Sequence, residues 1–167
     1  MSTQRPPSEP GCLWIEECVE KCNAQSLFVE EHGVRATFVN PKGRRLRKVH
    51  YDGCYAPHEA RQADYIVGLV GILDVVVELK GSDTNIKGAA AQVEETLNAW
   101  KRDSKRAPAL AALIVYGRIE GRKKLPGRIP RAEAVISGVV ARFLKHGTLL
   151  VIAESGARQY SFTDFMR

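Results

Sequence analysis

The 167-residue chain contains no uninterrupted apolar run of about 18 residues, the length that a membrane-spanning helix requires. No membrane association is therefore expected. Its first eleven residues include three prolines but no apolar stretch, so they do not resemble a signal peptide. We expect a flexible tail at residues 1–11, a single domain at residues 12–167 and, without an export signal, a cytoplasmic location.

Cysteine is scarce, and its spacing excludes the common zinc motifs. None of the four cysteines belongs to a CxxC pair, and no histidine lies at zinc-finger spacing from them. Cys18 and Cys22 are one helical turn apart and could share a helix face. In a cytosolic protein we expect all four cysteines to be reduced, buried thiols rather than disulfides.

Two other signatures are also missing. The sequence has no GxxxxGK[ST] phosphate-binding loop, and no histidine at motif spacing from Ser82. A P-loop nucleotidase and a serine hydrolase are therefore not indicated.

Positive charge is in excess and is clustered. The chain has 25 Lys and Arg against 19 Asp and Glu, a formal net charge of +6, which favours an anionic partner and nucleic acid first. Fifteen of the 25 basic residues fall at positions 42–48, 101–106 and 118–131. The alternative is that these clusters are solvated loops and helix ends. The predicted nucleic-acid-binding residues are Arg44, Arg45, Arg47, Lys48, Arg118, Arg122, Lys123, Lys124, Arg128 and Arg131.

Hydrophobic periodicity predicts the element order α-β-β-β-β-α-β-α-β-β. Strands in series followed by strand–helix alternation indicate an α/β (α+β) fold, with a mixed β-sheet flanked by helices. Turns are predicted at residues 40–43 and at Gly71. The predicted helices are residues 13–25, 87–101 and Arg131–Lys145, and the predicted strands are Val34–Val39 and residues 46–51, 64–70, 73–79, 110–116, 149–153 and 159–162.

The strand at residues 73–79 carries charged residues at one end. Because side chains alternate along a strand, Glu78 and Lys80 point away from the core face that Val77 occupies. Asp74 shares the face of Glu78 but lies roughly 13 Å away along the strand. A hairpin centred on Gly71 instead places Asp64 opposite Glu78, with their Cβ atoms about 5 Å apart.

Two carboxylates so close repel each other unless a divalent cation lies between them, and oxygen ligands suit Mg²⁺ or Mn²⁺. Lys80 adds a positive charge that can orient an attacking water or stabilise charge on a phosphate. The alternative interpretation is a Glu78–Lys80 pair exposed on an edge strand, with Asp64 at a turn.

At these residues the sequence resembles the PD-(D/E)XK nuclease superfamily. Asp64 stands at the first acid of the motif, Glu78-Leu-Lys80 at its E-x-K, and Gln92 at the helical Gln that some members add. The dipeptide before Asp64 is Gln-Ala and lacks the proline that gives the motif its name. The element order is similar to the αβββαβ core of the restriction-endonuclease-like fold, and the resemblance covers about residues 34–162. The wider string, Asp52-Gly-Cys54, Asp64-Tyr65 and Glu78-Leu-Lys-Gly81, looks like small phage- or bacterium-type proteins.

The resemblance implies a metal-dependent nuclease that hydrolyses phosphodiester bonds, with DNA favoured over RNA. Asp64 and Glu78 would hold Mg²⁺ or Mn²⁺ with the Leu79 carbonyl, and Lys80 and Gln92 would complete the catalytic set. An early helical Glu of the superfamily could be Glu16, Glu17 or Glu20. A homodimer is a compatible assembly, because one site cuts one strand. The alternative is a catalytically inactive nuclease-fold module that binds nucleic acid or a protein partner.

Overall fold

The computed structural model describes residues 12–16, 18–56, 61–83, 85–119, 131–156 and 159–166. At residues 12–16, 82–83, 118–119 and 131–132 it describes the backbone alone. These residues form an α+β protein with β-strands, two α-helices and one 3₁₀ turn. The predicted mixed sheet with helices is therefore confirmed. The predicted tail at residues 1–11 lies outside the described residues.

Seven strands form the main sheet, which is antiparallel at one side and parallel at the other. Their spatial order is β1-β2-β5-β6-β7-β8-β9, and β7 lies between β6 and β8. Neighbours from β1 to β7 are antiparallel, whereas β7, β8 and β9 run parallel. The strands are Cys12–Glu16 (β1), Val19–Cys22 (β2), Leu46–His50 (β5), Tyr65–Leu69 (β6), Leu73–Asp83 (β7), Ala109–Ile119 (β8) and Leu149–Glu154 (β9).

The hairpin of β6 and β7 has the predicted register. Tyr65 pairs with Val77, and Leu69 pairs with Leu73, so the hairpin is symmetric about Gly71. Gly71 has a φ of +77°, a left-handed conformation that glycine adopts without steric penalty.

Two helices supply the parallel crossovers and cover one face of the sheet. Helix α1 (Ile86–Trp100) joins β7 to β8, and helix α2 (Arg131–Lys145) precedes β9. Both pack into one apolar cluster on the face that carries Ile66 and Val76. Neither helix is long and apolar enough to cross a bilayer. The predicted apolar stripe of α1 is buried, and it consists of Ile86, Ala90, Val93, Leu97 and Trp100.

A second, three-stranded sheet covers the other face, in the order β10-β4-β3. Its strands are Ser26–Glu31 (β3), Val34–Val39 (β4) and Tyr160–Ser161 (β10), and a 3₁₀ turn, Phe162–Phe165, follows. Strand β4 matches its prediction, β10 is shorter than predicted, and β3 was not predicted. Two side chains of the main sheet hold β3: Lys48 Nζ donates to the Phe28 carbonyl, and the Tyr65 hydroxyl donates to the Glu30 carbonyl, both at 3.1 Å.

The helix predicted at residues 13–25 is wrong, because this segment forms the β1–β2 hairpin. Trp14 lies opposite Glu20, with an irregularity in register between Trp14 and Glu16. Apolar residues two apart fit a strand as well as a helix, and pairing of Val19 with Val49 adds the hairpin to the main sheet. Within the described residues, the predicted αβββαβ core therefore lacks its first helix.

The prediction of reduced cysteines is also wrong. Cys18 and Cys54 form a disulfide with their Cα atoms 5.7 Å apart, and Cys22 is disulfide-bonded as well. The Cys18–Cys54 bond joins the residue before β2 to the loop after β5. It closes a separation of 36 residues and ties the edge hairpin to the rest of the sheet.

Candidate active site

The position of Asp64 is fixed by three hydrogen bonds at the start of β6. The Tyr51 N–H donates to the Asp64 carbonyl at 3.0 Å, and the Ala63 N–H donates to Thr96 Oγ1 at 2.8 Å. The Asp64 side chain accepts a bond at Oδ2 from the Leu79 N–H, at 2.9 Å. The carboxylate of Asp64 therefore lies against the backbone of β7 beside Glu78, as the symmetric hairpin predicts.

Glu78 is buried in the centre of the sheet rather than exposed at its edge. It is 2% exposed and lies on the face that α1 covers. Its Oε1 atom is 3.2 Å from Lys80 Nζ, whereas its buried Oε2 atom has no hydrogen-bond partner in the part of the chain that the structure describes. A buried carboxylate oxygen without a partner is unfavourable. The alternative of an exposed Glu–Lys pair on an edge strand is therefore excluded.

Both carboxylates bind protons more tightly than ordinary acids do. Burial, opposed by the Leu79 N–H, raises the pKa of Asp64 to about 6. Burial, together with the nearby Asp64 charge, raises the pKa of Glu78 to about 8, although Lys80 acts in the opposite direction. Two carboxyl groups therefore share a place with little water, where burial favours their protonated forms. A bound cation would favour the ionised form of both groups.

Asp74 shares the Glu78 face but belongs to a separate buried network. Its Oδ2 atom accepts hydrogen bonds from Trp100 Nε1 at 2.8 Å and from the Ala107 N–H at 2.7 Å. Arg47 forms an ion pair with the same oxygen at 3.1 Å. A Cβ added at Gly68 would overlap Asp74 Oδ1 and lie 2.6 Å from the Leu73 carbonyl oxygen, so only glycine fits at that position. The carboxylate of Asp74 is committed to structure, in agreement with its exclusion from the predicted site.

Leu79 and Gln92, the other two residues of the predicted site, lie in different environments. The Leu79 side chain is fully buried, and its N–H faces Asp64. Because the N–H and C=O of one strand residue point to the same side, the Leu79 carbonyl faces β6 as well. Gln92 is half-buried on α1, and within the described part of the chain it forms no hydrogen bond to Asp64 or Glu78.

Of the three glutamates considered for an early helical position, the two that the structure describes, Glu16 and Glu20, lie on strands. Glu20 is on β2, 1% exposed, with Lys48 Nζ and His50 Nε2 each 3.9 Å from its carboxylate. Its strand partner Lys48 lies on the face opposite Glu78. Glu16 is in β1, and Glu17 lies outside the described residues.

Sequence reasoning missed Glu31 and His32 near the two carboxylates, and it noted Asp52 in the wider string without giving it a role in the site. The charges of Glu31 and His32, at the turn between β3 and β4, act on Asp64, and the charge of Asp52 acts on Glu78. Asp52 follows Tyr51, whose N–H binds the Asp64 carbonyl. The signal for the turn was present, because His32-Gly33 separates two runs that alternate in polarity.

The structure removes Arg47 and Lys48 from the predicted nucleic-acid-binding set. Arg47 is 8% exposed and pairs with Asp74, and Lys48 is 7% exposed and binds the Phe28 carbonyl. Both lie on an inner strand, where their side chains are covered on either face of the sheet. Arg44 and Arg45 are exposed, but they precede Leu46, which pairs with Leu69 at the end of the sheet away from Glu78.

The basic segment at residues 118–131 leaves the sheet at the end where the carboxylates lie. The backbone of Arg118 pairs with Ser82, two residues beyond Lys80. The remaining predicted contacts lie outside the described residues or side chains, namely the side chains of Arg118 and Arg131 and the residues Arg122, Lys123, Lys124 and Arg128.

Comparisons with known proteins identify no family for this chain. No protein-family model, no curated protein and no solved structure matches the chain. Among the described side chains, no group of three or more His, Cys, Asp and Glu is arranged to hold a metal ion. The candidate site therefore consists of two carboxylates, one backbone carbonyl and one lysine.

Proposed function

We propose that the chain is a metal-dependent nuclease that hydrolyses phosphodiester bonds through Asp64, Glu78 and Lys80. One observation carries the proposal: Asp64 and the buried Glu78 lie side by side on a central hairpin, and Glu78 Oε2 has no hydrogen-bond partner within the described residues. Burial of two like charges is unfavourable for stability alone. It is typical of sites that bind a cation.

The order of elements supports a restriction-endonuclease-like fold within this proposal. Strands β5, β6 and β7 form an antiparallel series, α1 follows, and β8 returns parallel to β7. This βββαβ unit places the two acids at one end of its second and third strands. The fold assignment is part of the proposal, because the first helix of the αβββαβ core is missing from the described residues.

The residues present fit a hard divalent cation. Asp64 and Glu78 would hold Mg²⁺ or Mn²⁺, and the Leu79 carbonyl, which faces the same side of β7, would complete the oxygen ligands. When bound, the ion would lower the pKa of water and neutralise charge on the phosphate. Glu78 Oε2 supplies an acceptor that has no partner among the described residues.

Lys80 holds a fixed positive charge beside the two acids. Its Nζ lies 3.2 Å from Glu78 Oε1, and its side chain is 26% exposed, so the ammonium group faces both the site and solvent. It can donate to a phosphate oxygen while Glu78 keeps it oriented. Gln92 remains a proposed supporting residue.

DNA is the proposed substrate, with RNA as the less favoured nucleic acid. The basic segment that leaves β8 beyond Arg118 would contact phosphates flanking the site. A homodimer is the proposed assembly, because one site cuts one DNA strand and two sites would cut both. A cytoplasmic location remains part of the proposal, although the Cys18–Cys54 disulfide is more typical of oxidising compartments.

A cleavage panel tests the function. Plasmid, linear duplex, single-stranded and branched DNA, with RNA alongside, are incubated with Mg²⁺, Mn²⁺ or EDTA. We expect metal-dependent cleavage that Asp64→Asn and Glu78→Gln abolish. The matched control is Glu94→Gln, an exposed glutamate that pairs with Arg142 on the surface. Metal-independent cleavage, or retained cleavage in Asp64→Asn, contradicts the proposal. Binding without cleavage under any metal supports the inactive binding module instead.

The role of Lys80 has its own test. Lys80→Met keeps most of the apolar stem and removes the charge, so we expect cleavage to slow by about 10²–10³. DNA affinity should change little, because 24 of the 25 basic residues remain. Lys87→Met, at an exposed position on α1, is the control. Cleavage by Lys80→Met at the wild-type rate contradicts a catalytic role.

A further inference from the structure

A strained turn lies beside the candidate active site. Among the described residues other than glycine, His32 alone has a positive φ, at 53°, and Gly33 follows with a φ of 73°. Glu31 pairs directly with Val34, so His32 and Gly33 form a two-residue hairpin turn. Two successive left-handed residues are typical of a type I′ turn, whose first position favours Asn, Asp or Gly. Histidine tolerates a positive φ, but the turn does not require it, because Asn, Asp or Gly would serve equally well.

The turn is held at the end of the sheet that carries the two acids. Val34 Cγ2 lies 3.3 Å from the position that a Cβ on Gly117 would take, and Gly81 Cα is 3.7 Å from the same position. Gly81 follows Lys80 in β7. Tyr65, the residue after Asp64, donates its hydroxyl hydrogen bond to the Glu30 carbonyl. Both contacts fix the turn next to the site.

The turn lies on the sheet face opposite Glu78 but at the same end of the sheet. His32 and Gly33 are exposed, and a Cβ added at Gly81 would meet no atom within 4 Å. The electrostatic influence of His32 on Asp64 agrees with this placement. An exposed imidazole in this place can donate a hydrogen bond to a molecule that occupies the site.

We propose that His32 is a further substrate-contacting residue, which the β3–β4 turn presents to a phosphate group of the nucleic acid bound at Asp64 and Glu78. The inference rests on the proposed nuclease function and adds a contact from the second sheet. Lys48 and Tyr65 hold β3 on the main sheet, so the imidazole is positioned before substrate binds.

The test uses a substitution that the turn accepts. Asn favours the first position of a type I′ turn, so His32→Asn should keep the melting temperature of the wild type. Its Kd for a labelled 30-base-pair duplex, measured by anisotropy in EDTA and in Ca²⁺, should rise about tenfold, the effect of one lost hydrogen bond to a charged group. KM for cleavage should rise similarly, with a smaller change in kcat. His146→Asn, at an exposed position in the turn before β9, is the control.

The outcomes separate this inference from the proposed function. Wild-type binding and cleavage by His32→Asn overturn the role of His32 and leave the nuclease proposal intact. If the wild-type protein binds the duplex but never cleaves it, the nuclease proposal fails. A tenfold loss of affinity in His32→Asn then still supports the contact, and an unchanged affinity overturns it. If His32→Asn melts lower than the wild type, His32→Gly, which also accepts a positive φ, is measured by the same criteria.

Discussion

Glu78→Gln should make the protein more stable at alkaline pH, because the buried carboxylate destabilises the fold once it ionises. The folded-state pKa of Glu78 is about 8, raised from 4.5 by burial and by Asp64. The folded protein therefore holds a proton that the unfolded chain has already lost. Stability must fall as the pH rises from the unfolded pKa through the folded pKa. Gln has nearly the same shape and cannot ionise.

The informative pH window lies between 6.5 and 8.0. Below this window the titration of His50 changes the stability in the opposite direction. Burial lowers the pKa of His50 from 6.5 to about 4, so its contribution to the free energy of unfolding rises with pH. Asp64, with a pKa of about 6, has largely ionised by pH 6.5. Tyr51 and Tyr65 have pKa values raised above their ordinary 10 and titrate outside the window. One proton corresponds to about 1.4 kcal/mol per pH unit, so Glu78 should lower the free energy of unfolding by about 1.5 kcal/mol across the window.

The assay is urea unfolding of the wild type and Glu78→Gln at several pH values, in EDTA. The difference in unfolding free energy should grow by about 1.5 kcal/mol from pH 6.5 to 8.0, in favour of Gln, or roughly 3–6 °C in melting temperature. Added Mg²⁺ should stabilise the wild type more at pH 8.0 than at pH 6.5 and should not stabilise the variant. A difference that stays constant with pH would refute the buried, proton-binding Glu78.

Two further predictions concern stability away from the site. Gly68→Ala should destabilise the fold by about 3 kcal/mol or more in chemical unfolding, because its Cβ would overlap Asp74 Oδ1. Gly138→Ala, in α2, should stabilise the fold by about 0.5–1 kcal/mol, because its Cβ would meet no atom within 4 Å. Equal effects of the two substitutions would contradict the packing around Gly68. Reduction of the Cys18–Cys54 disulfide should lower the free energy of unfolding by about 3–4 kcal/mol, because the bond closes a separation of 36 residues. Cys54→Ser should reproduce the part of this loss that belongs to the Cys18–Cys54 bond. An unchanged melting temperature in dithiothreitol would contradict the prediction.

The sequence predicts the central hairpin well because its determinants are local. Alternation of Val77 and Leu79 with Glu78 and Lys80 fixes which side chains share a face, and Gly71 fixes the point of symmetry. A one-residue shift in register would expose the apolar face, so few alternatives compete. Helices α1 and α2 were also predictable, because each buries one continuous stripe at helical spacing.

The features that sequence alone could not predict depend on distant partners. Residues 13–25 form a hairpin rather than a helix because Val19 pairs with Val49 of β5, a partner 30 positions later in the sequence. Arg47 looked like a surface cation because Asp74, its buried partner, is 27 residues away. The His32 turn lies at the carboxylate end of the main sheet only because β3, an unpredicted strand, packs on that sheet. Tertiary pairing, rather than local preference, determines these three features.

The location of Asp64 and Glu78 on one hairpin also has a consequence for folding. Strands β6 and β7 are joined by a three-residue turn centred on Gly71, so the loop that must close to bring the acids together is short. Pairing of β7 with β8 must wait for the crossover through α1, and β9 requires a second crossover. Short loops close faster and with a smaller loss of entropy than long ones. We therefore expect the acids to meet early, while water still surrounds them, and to lose that water only when the helices dock.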